Sequence, residues 1–255
     1  MAVIIKTPEE IEILREGGRR LATILQEVGK KVAPGVTTAE LDAYAEELIR
    51  RGGDEPAFLG YTPEGVSYPF PASLCVSVNN EIVHGIPGDR VLKNGDIVTI
   101  DLGLKHRGLF TDHAISLPVG QISKNSKKLL DATREALYVG IEAARGGNTT
   151  GDIGHAIQEY IRPFKYGIIR GLSGHGVGRA IHEDPFIPNY GKRGAGELLR
   201  PGMVVALEPM IAEGDWQAIP QSDEYLYTTA DGSRAAHFEH TILITEGEPE
   251  ILTQI

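Results

Sequence analysis

The chain has one cysteine, Cys75, in 255 residues. No disulfide can close within it, and a reducing compartment is its natural setting. It has no run of about 18 apolar residues, the length that a membrane-spanning helix needs. The apolar stretch in MAVIIKTPEE is too short for the core of a secretory signal. A basic run is also lacking. Lys and Arg number 25 against 35 Asp and Glu, a formal charge of −10, and that balance repels a phosphate backbone. A disulfide scaffold, a membrane protein and a primary nucleic-acid binder are therefore set aside, and a soluble cytoplasmic protein is expected. The length suffices for one sizeable core, so residues 1–255 are read as one domain.

What is present begins with helix signals. In TPEEIEILREGGRRLATILQEVGK, Thr7 caps, Pro8 suits the first turn and Glu10 completes a capping box. Ile11, Leu14, Leu21, Leu25 and Val28 form the inward stripe. Gly17 and Gly18 interrupt it, which predicts close approach of another backbone. A second helix follows Thr37, with Glu40 three residues on, Leu41, Tyr44 and Leu48 inward, and Gly52 as the stop. A third spans about Lys124 to Arg145, and a fourth begins near Thr150.

The second and fourth helices share a start. VTTAELDAYAEELI and NTTGDIGHAIQEYI align at an offset of 112 residues, Thr37 to Thr149, each after a long amphipathic helix and a turn. Strand-like runs follow each pair: LCVSV, DIVTIDLGL and LFTDHAISL, then MVVALEPMI and HFEHTILIT. The chain reads as two α+β halves joined across a shared sheet, with a ligand site where they meet. Two unrelated helix starts remain the alternative.

Four acids sit in apolar strands: Asp101, Asp112, Glu208 and Glu239. A buried carboxylate is costly unless paired, hydrogen-bonded or bound to a cation. Asp101 alternates with Val98, Ile100 and Leu102 and so faces away from them. An antiparallel pairing brings Asp112 beside it, and near-adjacent carboxylates are relieved by a shared proton or a shared metal ion. Each acid alone is better explained as structural, satisfied by an Arg or Lys partner. As a set the four carry about −4, which two divalent cations would neutralise.

In GLSGHGVGRAIHEDP, His175 is flanked by glycines and His182 follows seven residues later. This spacing does not match the HExxH helix of zinc hydrolases. The glycines let backbone come close to an ion or substrate at His175; a merely hydrogen-bonded loop histidine is the usual reading of an isolated His, and the glycine density argues against it here. His84, ahead of the turn in HGIPGD, is equally open.

Together EIVHGIP, DIVTIDLG, FTDHA, SGHGVGRAIHEDP, LEPM and FEHTILIT resemble the type I methionine aminopeptidases, in order and spacing, from about Ile4 to Thr245. The resemblance implies the pita-bread fold, a duplicated, pseudo-symmetric α+β unit with a curved antiparallel sheet flanked by helices. It also implies two divalent metal ions, Co, Mn, Fe or Zn. Asp101 resembles the bidentate ligand of one ion, Asp112 and Glu239 the bridging carboxylates, and His175 and Glu208 the remaining ligands of the other. Glu208 would also carry a proton, while His84 and His182 resemble the two histidines that contact the scissile peptide. His106, His113, His155, His237 and His240 match no such role and are taken as surface or packing residues.

For the methionine pocket the resemblance points to Phe70, Cys75, Ile181 and Tyr225. Two depart from the family pattern: Ile181 stands where Phe is common, and Tyr225 where Trp is usual, with Trp216 nearby. The segment GYTPEGVSYPFPASLC is longer than the family's common form, which bears on where Phe70, Tyr61 and Tyr68 lie. The short tail without a Cys or His cluster does not match the zinc-finger extension of some eukaryotic relatives, and the absence of a long helical insert resembles type I rather than type II. The implied partners are the N-termini of nascent polypeptides near the ribosome, met by a monomer. The competing readings are an aminopeptidase P or prolidase-like peptidase, whose relatives carry an additional N-terminal domain, and a catalytically silent pita-bread binding protein.

Overall fold

The computed structural model describes residues 3–255; Met1 and Ala2, where the expected domain begins, lie outside the described residues. Helix α1, Pro8–Gly29, carries the full capping box: the Glu10 N–H donates to Thr7 Oγ1, and the Thr7 N–H donates to the Glu10 carboxylate. It packs across strands Ile97–His106 and Leu109–Pro118. The glycines in its stripe permit that approach. A Cβ on Gly18 would lie 2.4 Å from the Leu252 carbonyl oxygen, and one on Gly17 3.1 Å from His106 Cβ. Helix α2 is Thr38–Arg51, α3 Lys124–Ala143 and α4 Thr150–Ile161. Tyr44 is only partly buried, and Ile11 likewise.

The repeat is visible in the backbone. At the start of α2, Thr37 bridges Val91, the Thr38 N–H donates to the Arg90 carbonyl, and Gly35 and Leu92 share a further bond. At the start of α4, Thr149 bridges Leu198, the Thr150 N–H donates to the Glu197 carbonyl, and Gly147 bonds Leu199. Both helices open with a capping box, Thr37 with Glu40 and Thr149 with Asp152. The two halves are thus built by one local rule used twice.

In the first half, strand Ile97–His106 is the centre of a four-stranded antiparallel sheet with Leu74–Val78, Leu109–Pro118 and the short Glu55–Pro56. In the second half, Glu250–Ile251, His240–Leu243, Val204–Leu207, Gly174–Gly176 and Glu183–Ile187 form a five-stranded sheet in that order. Each half has its own apolar cluster. One lies between α1, α2 and the first sheet, the other between α3, α4 and the second.

Two expected strands differ from the sequence reading. MVVALEPMI breaks into Val204–Leu207 and Met210–Ala212, and HFEHTILIT into Ala235–His237 and His240–Leu243. Pro209 has no N–H for a ladder, and both segments change sheets at the break. Val204–Leu207 pairs His240–Leu243 in the five-stranded sheet, while Met210–Ala212 pairs Ala235–His237 in a separate three-stranded sheet. Glu208 and Glu239 occupy the two corners. The halves are stitched at this level: the Glu239 N–H donates to the Ala114 carbonyl at 2.9 Å, and Thr241 Oγ1 donates to the Asp112 carbonyl at 2.7 Å.

Candidate metal centre

Asp101 and Asp112 lie on neighbouring strands, where Asp101 faces Ala114 and Gly103 faces Asp112. The two acids are therefore diagonal neighbours on one face. Gly103 leaves room for Phe58, since a Cβ there would lie 2.7 Å from its ring. His175 sits on an inner strand of the five-stranded sheet, opposite both Ala206 and Phe186. The glycines beside it serve the neighbouring strands rather than a ligand. A Cβ on Gly174 would lie 2.4 Å from the Ala206 carbonyl oxygen, and one on Gly176 2.2 Å from that of Asp184.

Ligand-capable atoms of Asp112, His175 and Glu239 lie within 4.8 Å of one another. Glu208 Oε1 is 3.4 Å from His175 Nε2, and Asp101 is hydrogen-bonded to Asp112. All five are buried, and all line one cavity of about 510 Å³. His175 Nδ1 donates to the Gly176 carbonyl at 2.9 Å, which frees Nε2 to act as a ligand.

Burial raises all four acids. Asp112 is pushed up to about 7; Asp101, Glu208 and Glu239 also stand well above the usual carboxylate range, each further raised by the negative charge of its neighbours. Asp101 and Asp112 are neighbouring acids on one face, and a shared proton is one of the two remedies for such a pair. Burial, then the neighbouring His182, lowers His175 to about 3, so it is a neutral donor at pH 7. No Lys or Arg lines the cavity among the described residues, so a basic structural partner does not account for the acids. Asp101 Oδ1 and Glu239 Oε1 are buried without a hydrogen-bond partner. Four buried carboxyl groups, two of them with an unpartnered oxygen, and one neutral imidazole fit a divalent transition-metal ion.

His84 follows strand Glu81–Val83 with φ of +61°, a conformation that a non-glycine residue holds only under constraint. Desolvation lowers it to about 4, against a hydrogen bond to the Tyr225 backbone. His182 lies edge-on to His175, ring centroids 4.5 Å apart, and its Nδ1 bonds the Tyr61 hydroxyl at 2.9 Å.

Phe70, Cys75 and Tyr225 line the cavity. Cys75 is directly opposite Asp101 in the sheet, and Phe70 meets Tyr225 edge-on at 5.0 Å. Ile181 is buried in the same apolar cluster, behind this wall. Trp216 does not line the cavity; it stacks on Arg170, 4.8 Å from its ring. The segment after Phe58 is pinched where the Phe70 N–H donates to the Tyr61 carbonyl. That loop is fastened by Ser67 to Glu224 and by Tyr68 to the Asp223 carbonyl.

The five histidines set aside in the sequence lie mostly in the packed interior. His106, His113, His237 and His240 are buried. His106 Nδ1 pairs with Asp54 at 2.6 Å, His113 Nδ1 meets the Glu239 carbonyl, and His240 stacks on His113. His155 is partly buried. Alternation from Glu239 would have flagged His237 as a residue of the same face.

One support of the site was not legible in the sequence. Lys6 and Glu183 form a buried ion pair at 2.6 Å, and Glu183 also accepts the N–H groups of Arg179 and Ala180. This fastens the turn that carries Ile181 and His182. Lys6→Met leaves Glu183 buried without its cation and is expected to cost about 3 kcal/mol, read by denaturant unfolding, with kcat falling as His182 loosens. Unchanged stability would contradict the pairing.

A description of metallopeptidase family M24 matches residues 12–246. Methionine aminopeptidase 1 of Bacillus subtilis (strain 168) is 47% identical over 253 residues, 99% of this chain and 100% of that protein. A crystal structure of methionine aminopeptidase from Thermotoga maritima superposes with a TM-score of 0.95 at 44% identity, covering 100% of both chains. A prolidase from Pyrococcus horikoshii OT3 shares the fold alone, with a TM-score of 0.78 at 24% identity; this chain covers 63% of it.

Proposed function

We infer the working of the cavity from the premise that this chain belongs to metallopeptidase family M24, with the pita-bread fold. It is a hydrolase, an aminopeptidase that releases an N-terminal methionine with the help of a divalent metal. Two ions are proposed. Asp101 would hold one, His175 and Glu208 the other, and Asp112 and Glu239 both. When bound, the ions supply Lewis acidity that holds the substrate amine, polarises the first peptide carbonyl and acidifies water. Co, Mn, Fe and Zn all suit this donor set.

The chain's own groups do the rest. Glu208, whose affinity for a proton is raised by burial, takes a proton from water and returns it to the departing amine. His84 and His182 are neutral near pH 7 and offer N–H donors to the oxygen of the scissile carbonyl. The Tyr61 hydroxyl donates to His182 Nδ1, leaving the proton on Nε2 for the substrate. Because Cys75 is opposite Asp101, the pocket of Phe70, Cys75 and Tyr225 abuts the metal ligands, and Ile181 backs it. The first side chain therefore enters beside the ions, which restricts cleavage to the N-terminus. The buried cluster of acids, with Asp101 Oδ1 and Glu239 Oε1 unpartnered and no basic residue beside them, is the observation that carries this reading.

Residues 1–255 would act as one catalytic domain, as a cytoplasmic monomer meeting nascent chains near the ribosome. No described helix is long and apolar enough to cross a membrane. A methionyl-alanyl peptide and an Xaa-Pro peptide, assayed side by side with added Mn, test the activity. Cleavage of the first is expected, and selective cleavage of the second would refute it.

Metal uptake should depend on pH. The raised acids hold protons in the metal-free site, and a cation must displace them. Affinity for Mn is expected to fall as pH drops from 8 to 6, by up to about tenfold per unit for each proton displaced. Calorimetry in buffers of different ionisation enthalpy reads the proton release. An affinity flat across that range would contradict it.

A further inference from the structure

The mechanism above leaves one imidazole beside the carboxylates without a task. His237 ends strand Ala235–His237 and is 1% exposed, and neither ring nitrogen has a hydrogen-bond partner among the described residues. A buried polar group left unpaired costs about 1–3 kcal/mol, so its surroundings need an explanation. Nε2 lies 3.5 Å from Glu208 Oε2 and 3.9 Å from Glu239 Oε2.

The backbone sets this approach. His237 is opposite Met210 in the ladder, and Glu208 stands two residues before Met210, which makes it a diagonal neighbour. Ser116 Oγ accepts the His237 N–H at 2.9 Å and donates to its carbonyl at 2.8 Å, so the residue cannot drift. The two oxygens of Glu208 are divided: Oε1 faces His175 Nε2 at 3.4 Å, and Oε2 faces His237.

We propose that His237 is a positioning residue that donates Nε2–H to Glu208 Oε2, reserving Oε1 for the metal ion and the travelling proton. This rests on Glu208 being a ligand and proton carrier, as inferred above. Nε2 carries a proton in the imidazolium and in one neutral tautomer, so the role does not require a charged ring. An N–H on the distal oxygen fixes the carboxylate's rotation and raises the cost of misplacing it, as outer partners of metal ligands commonly do.

The test uses the whole chain, stripped of metal and titrated with Mn. His237→Leu is expected to lower both Mn affinity by calorimetry and kcat on a methionyl-alanyl peptide by about 10- to 100-fold. KM should stay within about twofold, since the residue does not touch the peptide. His237→Gln, whose amide N–H can reach the same oxygen, should restore affinity and kcat to within about threefold of the parent. The visible spectrum of the Co-loaded protein should not differ between His237→Gln and the parent.

Leucine equal to the parent would overturn the proposal, as would glutamine as impaired as leucine. A changed Co spectrum in His237→Gln would overturn it in favour of direct ligation. If His237→Leu does not unfold cooperatively, His237→Asn replaces it, and the shorter amide should show the leucine losses; parental behaviour would again overturn the proposal. A parent that neither binds Mn nor cleaves the peptide would refute the underlying function instead.

Discussion

Asp112→Ala is expected to reduce turnover of a methionyl peptide by at least ~10³-fold, about 4 kcal/mol of transition-state free energy. Asp112 is buried on the central face, its oxygens close to both His175 and Glu239. Removing it takes away a carboxylate proposed to serve both ions, and leaves cationic charge uncompensated in a site where few waters can replace it. Asp112→Asn keeps the shape and loses the charge, so a comparable loss is expected. An asparagine variant of nearly full activity would refute the two-ion account. Glu239→Ala should behave in the same way.

The same substitution has an opposite effect on the metal-free fold. The folded pKa of Asp112, about 7, lies above the ordinary aspartate value of 3.8. The folded state therefore binds the extra proton, and this residue costs stability progressively as pH rises from about 4 to 7. Without metal at pH 8, Asp112→Ala should be at least as stable as the parent. Added Mn should raise the Tm of the parent far more than that of the variant. Equal Mn-induced shifts would contradict Asp112 as a ligand.

A large effect on stability is expected at Gly176. A Cβ there would sit 2.2 Å from the Asp184 carbonyl oxygen and 3.1 Å from Glu183 Cβ, so backbone must move in the inner strand of the sheet. Gly176→Ala should cost about 3 kcal/mol and lower Tm by roughly 10 °C. It should also reduce activity, because His175 is the adjoining residue in the same strand. Gly88 is the control, since a Cβ there meets nothing within 4 Å, and Gly88→Ala should be near neutral. Equal melting temperatures for the two variants would contradict the close approach.

Gly176 also shows how a sequence can mark the right place for another reason. The glycines around His175 were read as room for an ion or substrate, and their Cβ positions are instead blocked by adjoining strands. The strand and loop readings failed where the chain turns between sheets, at Glu208 and Glu239, because apolar runs continue across the corner and periodicity does not register a change of partner. Pro209 was the one local sign.

The amino-acid sequence by itself determined the four helices, the capping boxes of the first two, the duplicated start at Thr37 and Thr149, and the candidate ligand set. These follow from patterns local in the chain or from acids whose burial is costly without a cation. Only the tertiary structure decided which atoms meet. Lys6 reaches Glu183 across 177 positions and His237 reaches Glu208 across 29. Such pairs depend on strand register and sheet order, which no local periodicity encodes.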